Sequence, residues 1–306
     1  MDIFNYFPQK IKEVILSNLK VEMYKFIEEI RLRNTKNIII KLTNKDVVIN
    51  YKVTSEDLIE TISLISENSI YSYQNQICNG YITVKGGHRV GITGNVAFEN
   101  NEVININYIY SLNFRVAKEV IGCSDDIIKY IINYKNDTVF NTLIIGKPAS
   151  GKTTLLRDII RNLSSGIDDF EKKNKMFFNV GVVDERSEIS SMYKGIPQNN
   201  LGDRTDILEN IPKTIGMKML IRSMAPDVIV ADEIGGTNDS EAINYVVCSG
   251  VKCIFTAHGE IIEDLYKNPE LNKLMNSHVI ESILILSDKD KGKIKKVHRL
   301  DGLRYT

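Results

Sequence analysis

The octapeptide GKPASGKT at residues 146–153 restricts the possible folds of this chain more than any other segment. It matches the pattern G-x4-G-K-[ST], follows the apolar residues 143–145 and precedes an amphipathic run to residue 160. Glycines let such a loop wrap tightly, so its backbone N–H groups and the N-terminus of the next helix face phosphate oxygens. The pattern occurs by chance in about one chain of this length in a hundred. The segment therefore predicts a nucleotide-binding loop between a strand and a helix.

The residue types of this loop predict a nucleotide and Mg²⁺ as its ligands. Lys152 is expected to reach the β and γ phosphates, and the Thr153 hydroxyl is expected to ligate Mg²⁺. The residues expected to contact the nucleotide are Gly146, Lys147, Pro148, Ala149, Ser150, Gly151, Lys152, Thr153 and Thr154.

Two adjacent acids, Asp232 and Glu233, end the apolar run 228–231. Ligands of open α/β sheets bind at the carboxyl ends of the strands, so these acids are expected beside the nucleotide. Asp232 is expected to hold Mg²⁺ through water, and Glu233 to orient or deprotonate the attacking water. The alternative is that both acids only begin and cap a helix.

Two further strand-like runs end in polar residues. FNVGVVDERSEI ends in Asp184, Glu185, Arg186 and Glu188, which supplies a second candidate base or, alternatively, a solvated cap. KCIFTAHGE places Thr256 and His258 at the end of another core strand. His258 is a candidate sensor of the γ-phosphate or an ordinary polar residue with satisfied hydrogen bonds.

The predicted pattern of strands and helices changes near the middle of the chain. The second half alternates strand-like and helical stretches, which predicts a parallel sheet in an α/β domain closed by a charged hairpin. The first half predicts a smaller α+β domain with an antiparallel sheet. We place the domains at 1–135 and 136–306. The strands expected in the second half are 141–145, 177–183, 228–231 and 252–256; the first half is expected to contain helices at 2–19, 54–77 and 119–134, strands around a turn at 34–37, and hairpins at 80–116.

Charge and composition bear on the partners and the cellular location expected for this chain. Lys plus Arg equals Asp plus Glu at 39 each, so overall charge argues neither for nor against a nucleic-acid or membrane partner. No signal peptide pattern is visible, and no apolar run approaches the roughly 20 residues of a membrane helix. A cytoplasmic protein is expected, with any membrane role reached through a partner. The four cysteines lack the spacing of a zinc site and predict free thiols.

The loop and the three polar strand ends, in this order, resemble the Walker A, Asp box, Walker B and His box of the secretion ATPase superfamily. That group includes the motors of type II and type IV secretion and of pilus retraction. Within it the chain more closely resembles the stage III sporulation protein AA family of endospore-forming bacteria, nearly over its full length. The segments that carry this resemblance are EEIRLR at 28–33, GYITVKGGHRVGITGNV at 80–96, SLNFRVAKEV at 111–120, VGVVDERSEI at 180–189 and RSMAPDVIVADEIG at 222–235.

The resemblance implies a RecA-like P-loop NTPase core and an ATP-hydrolysing motor that assembles as a hexamer. It implies action on the mother-cell side of a channel complex between mother cell and forespore. It also implies contact with a membrane protein of that complex and a cytoplasmic, peripheral location in the mother cell.

The resemblance also nominates residues. Arg89 and Arg115, with Arg31 and Arg33 behind them, would complete a neighbouring subunit's site, because a guanidinium can neutralise charge on the transferring phosphoryl group. Alternatively, Arg89 is a surface charge beside a plain hairpin turn. Three more arginines, in the ATPase half, are expected to be structural or sensor residues: Arg186, Arg204 and Arg222.

The catalytic base has two candidates. Ordinary P-loop logic selects Glu233, whereas the family pattern selects the Asp-box position Glu188. Secretion motors commonly have Gly-Glu where this chain has Asp232-Glu233. We favour Glu188 as the base, with Asp232 and Glu233 near Mg²⁺.

The sequence leaves two other functions open beside the motor. One is a nucleotide-dependent assembly scaffold with slow turnover. The other is a nucleic-acid-dependent ATPase, which the neutral charge disfavours, since 289–299 is the only basic cluster and a solvated hairpin explains it.

Overall fold

The structure, a computed structural model, describes residues 2–169 and 172–300. The chain forms two compact units that are not contiguous in sequence. The first unit runs through Lys118 and also includes Ser191–Gln198. The second comprises Glu119–Ser190 and the chain from Asn199 onward.

The first unit is built on a six-stranded antiparallel sheet with the strand order β3-β2-β1-β6-β5-β4. Residues alternate along the strands, so that Ile30 and Leu32 of β1 are fully buried while Arg31 and Arg33 lie on the opposite face. The strands are β1 (Ile27–Arg33), β2 (Asn37–Leu42), β3 (Asp46–Lys52), β4 (Tyr81–Val84), β5 (His88–Glu99) and β6 (Glu102–Arg115).

Helices cover the apolar face of this sheet. Ile11 of the first helix and Leu58 of the second are fully buried in the same core as Phe114 of β6. The second helix begins with a capping box in which Thr54 and Asp57 exchange side-chain and backbone hydrogen bonds. The helices are α1 (Gln9–Asn18), α2 (Ser55–Ile65) and α3 (Gln74–Cys78), with short 3₁₀ helices at Asp2–Tyr6, Val21–Phe26 and Ile70–Tyr73.

The second unit contains a seven-stranded sheet with the order β13-β12-β14-β15-β9-β16-β17. Six strands run parallel, and β17 closes the edge antiparallel to β16. Its strands are β9 (Thr142–Gly146), β12 (Val180–Asp184), β13 (Thr205–Glu209), β14 (Val228–Ala231), β15 (Lys252–His258), β16 (Ser282–Leu286) and β17 (Ile294–Arg299); two short pairs lie outside it, β7 (Ile132–Asn133) with β8 (Thr138–Val139) and β10 (Ile167–Asp169) with β11 (Asn174–Met176).

Both faces of this sheet are covered. Ile144 of β9 packs with α4 in one core, whereas its neighbours Leu143 and Ile145 face a second core that includes α5, α6 and α8. Burial on both sides explains why these strands are continuous apolar runs. The helices are α4 (Lys152–Ser165), α5 (Lys213–Met224), α6 (Asp239–Cys248), α7 (Ile262–Leu265) and α8 (Pro269–Asn276).

The expected helix at 119–134 is wrong. The segment forms turns, a 3₁₀ helix at Ile128–Tyr130 and the short strand β7. Its early N–H groups bond elsewhere, because the Asp158 carboxylate accepts from the N–H groups of Gly122 and Ser124 at 3.1 and 2.7 Å. Burial alone would raise the pKa of Asp158, but these bonds and Arg161 lower it.

Two other expected helices are interrupted. The one at 2–19 breaks at Pro8, which has no N–H to donate and precedes α1. The one at 54–77 ends at Ile65, since Glu67 and Asn68 adopt left-handed φ values of 49° and 61°. The strands expected at 141–145, 228–231 and 252–256 correspond to β9, β14 and β15, whereas the one expected at 177–183 begins only at Val180, as β12. The hairpins expected at 80–116 are present.

Residues 119–135, assigned to the first domain from sequence, pack within the second unit. The domain limits 1–135 and 136–306 stay a prediction. Among the described residues, no helix has the length and apolar character needed to cross a bilayer.

Candidate nucleotide-binding site

The glycine-rich loop joins β9 to α4 in the predicted strand–loop–helix arrangement. Gly151 has a φ of 97°, which disfavours residues with a Cβ. A Cβ at Gly146 would lie 2.5 Å from Ser150 Oγ, so the tight wrap requires glycine there too. Because α4 starts at Lys152, its first N–H groups open at this loop.

Lys152 is held inside the loop. Its side chain is 5 % exposed, and its Nζ donates to the carbonyls of Gly146 and Lys147 at 2.8 Å each. Burial lowers the pKa of Lys152, and the nearby carboxylates of Asp232 and Glu233 oppose that shift. The ammonium is thus fixed at the carboxyl edge of the sheet, and its contact with phosphate stays a prediction.

The two residues expected to hold Mg²⁺ lie in contact. Thr153 Oγ1 donates to Asp232 Oδ2 at 2.5 Å, and Thr256 Oγ1 donates to the other carboxylate oxygen. Thr256 Oγ1 in turn accepts from the N–H of Glu233 at 2.8 Å. A hydroxyl and a carboxylate at one sheet edge are the oxygen ligands that Mg²⁺ prefers, so the donor set fits this ion.

A cleft of about 450 Å³ opens in front of the loop, a volume typical of small-molecule sites. One wall is formed by Pro148, Ala149, Gly151, Lys152, Thr153 and Thr154. Within the described parts of the chain, the buried hydroxyl of Ser150 has no hydrogen-bond partner, which suits a loop built to receive phosphate oxygens. The residues therefore fit a nucleotide.

Glu233 lies between two cationic or potentially cationic groups. Its Oε2 is 2.5 Å from Arg186 Nη1, and its Oε1 is 3.2 Å from His258 Nε2. His258 Nδ1 is 3.5 Å from Lys152 Nζ. The predicted sensor histidine and the predicted Walker B glutamate therefore meet at the loop lysine.

Glu188 is held by its backbone. Its N–H donates to Asp184 at 2.9 Å, and its carbonyl accepts from Arg157 Nε and Nη2 at 3.0 and 2.6 Å. Arg157 lies on α4, so the loop helix fixes the Asp-box residue directly. Glu188, Asp232 and Glu233 line one small cavity of about 10 Å³, the space of about one water.

The predicted arginines of the first unit share one face of its sheet. Arg89 of β5 lies opposite Arg115 of β6, which lies opposite Glu29 of β1. Arg31 pairs with Glu29 at 2.5 Å, and the Arg89 guanidinium lies 3.4 Å from the centre of the Tyr81 ring. Arg33 occupies the same face as Arg31. The sheet therefore gathers these charges on the side away from the hydrophobic core.

The other arginines occupy separate places in the second unit. Arg204 stacks 4.3 Å from the Phe177 ring, and Arg222 lies in the last turn of α5. Glu185 forms an ion pair with Lys213 at the mouth of the small cavity.

The sequence does not predict all the residues that line the cleft. Lys291 and Gly292, in the turn between β16 and β17, line it together with Val120 and Cys123. The Gly292 N–H donates to Ser150 O at 2.9 Å, and Lys147 pairs with Asp288 at 3.2 Å. The sequence predicts a solvated hairpin tip for this turn. Nothing in the local sequence distinguishes it from one.

Comparisons with known proteins agree with the family that the sequence motifs resemble. A family model described as "Sporulation stage III, protein AA" matches residues 1–305. The stage III sporulation protein AA of Bacillus subtilis (strain 168) is 38% identical over 302 residues, covering 98% of this chain and 95% of the relative.

Two solved structures share the fold. The ATPase DotB of Legionella pneumophila has a TM-score of 0.54 at 15% identity, with 85% of this chain and 72% of DotB covered. The pilus retraction motor PilT with bound ADP has a TM-score of 0.55 at 14% identity, with 90% of this chain and 76% of PilT covered. The predicted fold class, a P-loop NTPase core preceded by a smaller α+β unit, is confirmed.

Proposed function

This chain belongs to the sporulation stage III protein AA family, and from this premise we propose that it is an ATP-hydrolysing motor of the secretion ATPase type. The observation that carries the proposal is the contact of Thr153 with Asp232 beside the buried Lys152 ammonium, where Thr153 and Lys152 line the cleft. These groups supply what phosphoryl transfer from ATP requires: a phosphate cradle, oxygen ligands for Mg²⁺ and a fixed positive charge.

Each of these residues has a separate role in ATP binding and hydrolysis. The loop N–H groups and Lys152 bind the β and γ phosphates, and Thr153 with Asp232 holds Mg²⁺. When bound, Mg²⁺ neutralises charge on the phosphate oxygens. His258, between Lys152 and Glu233, senses the γ-phosphate.

We assign the base to Glu188. Both carboxylate oxygens of Glu233 already contact Arg186 and His258, so a proton acceptor there would compete with two donors. Glu188 borders the same water-sized cavity, and its backbone is fixed on both sides. It accepts the proton of a water held in that cavity.

The motor acts during endospore formation, in the mother-cell cytoplasm, on the membrane protein of a channel complex between mother cell and forespore. It works as a hexamer in which Arg89 and Arg115 of one subunit complete the nucleotide site of the next. The gathered arginine face of the first unit supports this role, because it places the exposed Arg115 beside the half-buried Arg89, which stacks on the Tyr81 ring, on one side of the sheet.

The test combines mass and turnover. Light scattering of the full chain, with and without Mg²⁺ and a non-hydrolysable ATP analogue, should give about six subunits only with nucleotide. Lys152→Ala should abolish both assembly and ATP hydrolysis, whereas Lys175→Ala, an exposed lysine of the same unit, should change neither.

Assembly without ATP turnover would contradict the motor and favour the slow scaffold. A protein that neither binds nucleotide nor assembles would contradict both. Stimulation of turnover by DNA that falls with salt would favour a nucleic-acid-dependent ATPase instead.

A further inference from the structure

A single loop follows β12 and carries the proposed base. It leaves the second unit after Ser190, its segment Ser191–Gln198 belongs to the first unit, and it returns to the second unit at Asn199. We call Ser191–Gln198 the inserted segment. Glu188 lies three residues before it.

The base of this loop is stiff. Asp184 accepts hydrogen bonds from the N–H groups of Glu188, Ile189 and Ser190 and from the Ser190 hydroxyl. The Asn199 side chain donates to Ile189 O at 2.7 Å, and its N–H donates to Ser190 O at 3.3 Å. The outgoing and returning chains are thereby tied together next to Glu188.

The inserted segment is equally well anchored in the first unit. Tyr193 donates to the carboxylate of Glu67, and Lys194 Nζ lies 2.6 Å from the other oxygen of that carboxylate. Gln198 Oε1 accepts from the Gly86 N–H at 2.8 Å.

Both anchoring points have constrained backbones. Glu67, just past the end of α2, has a φ of 49°, and Gly86 has a φ of 88°. A Cβ at the next residue, Gly87, would lie 3.3 Å from the Cβ atoms of Ser191 and Gln198. The end of α2 and the β4–β5 turn therefore hold the inserted segment in place.

We propose that Glu67, Tyr193 and Lys194 are positioning residues for Glu188, acting through the inserted segment. This inference rests on the proposed role of Glu188. Three residues span at most about 11 Å, and the N–H and C=O groups of Glu188 are both bonded, so the connection has little slack. Displacement of the segment therefore moves the Glu188 carboxylate relative to the phosphate-binding loop.

The coupling runs in both directions. A position of the inserted segment that favours one nucleotide state is, by linkage, itself favoured by that state. Binding at the loop thus reaches Glu67 through hydrogen bonds and then through the chain itself. Arg157 on α4 bonds to Glu188, Asp184 accepts from Glu188 and Ser190, and the chain continues from Ser190 into the segment that Glu67 holds.

Steady-state hydrolysis by the full chain tests the proposal. Glu67→Ala should lower kcat by about tenfold, since a small displacement of a catalytic group has effects of this size, while the KM for ATP stays within about twofold. Tyr193→Phe, which removes one hydroxyl, should lower kcat less. Glu67→Gln, which keeps an acceptor for Tyr193, should recover part of the loss.

The matched control is Glu28→Gln, which breaks an exposed ion pair with Lys41 in the same unit and should leave kcat unchanged. Unchanged kcat in both Glu67→Ala and Tyr193→Phe would overturn the proposal. A rise in KM with kcat retained would overturn it as well.

Hydrogen exchange separates this inference from the proposed function. If the wild type binds ATP but does not hydrolyse it, the motor fails, yet the linkage remains measurable. Mg²⁺ with a non-hydrolysable ATP analogue should change exchange in Ser191–Gln198 of the wild type, and Glu67→Ala should abolish that response. Exchange in the segment that ignores nucleotide in the wild type would overturn the linkage.

Discussion

Two aspartates lie at the ends of neighbouring parallel strands of the second unit, yet different hydrogen-bond donors hold them. Asp184 is the last residue of β12, and Asp232 directly follows β14. Asp184 is 2 % exposed and accepts from three backbone N–H groups and one hydroxyl. Asp232 is half-buried and accepts from two hydroxyls, those of Thr153 and Thr256.

The kind of donor decides what each carboxylate can do. A backbone N–H cannot turn away without moving the chain, so Asp184 is committed to shaping its loop. A hydroxyl rotates and presents a lone pair instead of its proton, so Thr153 and Asp232 can turn toward a cation together. An acidic residue at the end of a strand therefore indicates metal binding or catalysis only when its hydrogen-bond donors can rotate away from the carboxylate.

The largest effect expected from this comparison is on stability. Asp184→Asn should lower the free energy of unfolding by about 4 kcal/mol, because an amide NH₂ would face backbone donors in a buried site. Asp232→Asn should change it by less than about 1 kcal/mol. Urea unfolding of both variants measures the contrast, and equal losses would break the comparison.

The loss of catalytic activity should be larger for Asp232→Asn than for Asp184→Asn, the reverse of the order expected for stability. Asp232→Asn should lower Mg²⁺-dependent kcat by about 100-fold, since the ion loses a charged oxygen ligand near the transferring phosphoryl group. Thr153→Ser is the control, because it keeps the hydroxyl and should retain most activity. An Asp232→Asn protein that turns over normally would remove this residue from the site.

A third measurement sharpens the contrast between the two strand ends by comparing their glutamates. Glu188→Gln should have a kcat at least about tenfold below that of Glu233→Gln, because general-base catalysis is lost only in the former. Steady-state hydrolysis at saturating ATP measures both. The opposite order would assign the base to Glu233.

The smallest effect concerns a buried acceptor in the first unit. His88 Nδ1 accepts from the Ala117 N–H at 3.0 Å, and burial lowers the pKa of His88 from 6.5. The folded state therefore binds the proton less well than the unfolded state. Stability is full above pH 6.5 and declines as pH falls from 6.5 toward the folded pKa.

His88→Gln keeps an acceptor for Ala117 and does not titrate. Between pH 7 and about 5.5, where most carboxylates stay ionised, the variant should lose less stability than the wild type. Thermal unfolding at several pH values measures this difference. Parallel curves for the two proteins would exclude His88 as the source.

Sequence reasoning reached the features that local pattern encodes. The loop motif located Lys152 and Thr153, and apolar runs located the strands that bring Asp232, Glu188 and His258 to one edge. It failed where distant residues decide. The segment 119–134 has helical spacing, but Asp158, more than thirty residues away, takes its N–H groups.

The same limit applies to the cleft wall and to the loop after β12. The contact of Gly292 with Ser150 joins positions that lie far apart in sequence, and no local pattern announces it. Tyr193 and Lys194 look like ordinary surface residues until Glu67 is placed beside them. Such contacts follow from tertiary packing, which periodicity does not report.

The discontinuity of the first unit also affects its synthesis on the ribosome. Its sheet and helices are complete in sequence at Lys118, but its last segment ends at Gln198, eighty residues later. At about 5–20 residues per second, translation needs roughly 4–16 s to supply it. During that interval the nascent first unit exposes Glu67 and the Gly86–Gly87 turn without their partners. We expect it to be open to proteases and chaperones until Ser191–Gln198 has emerged, by which time much of the second unit has already been synthesised.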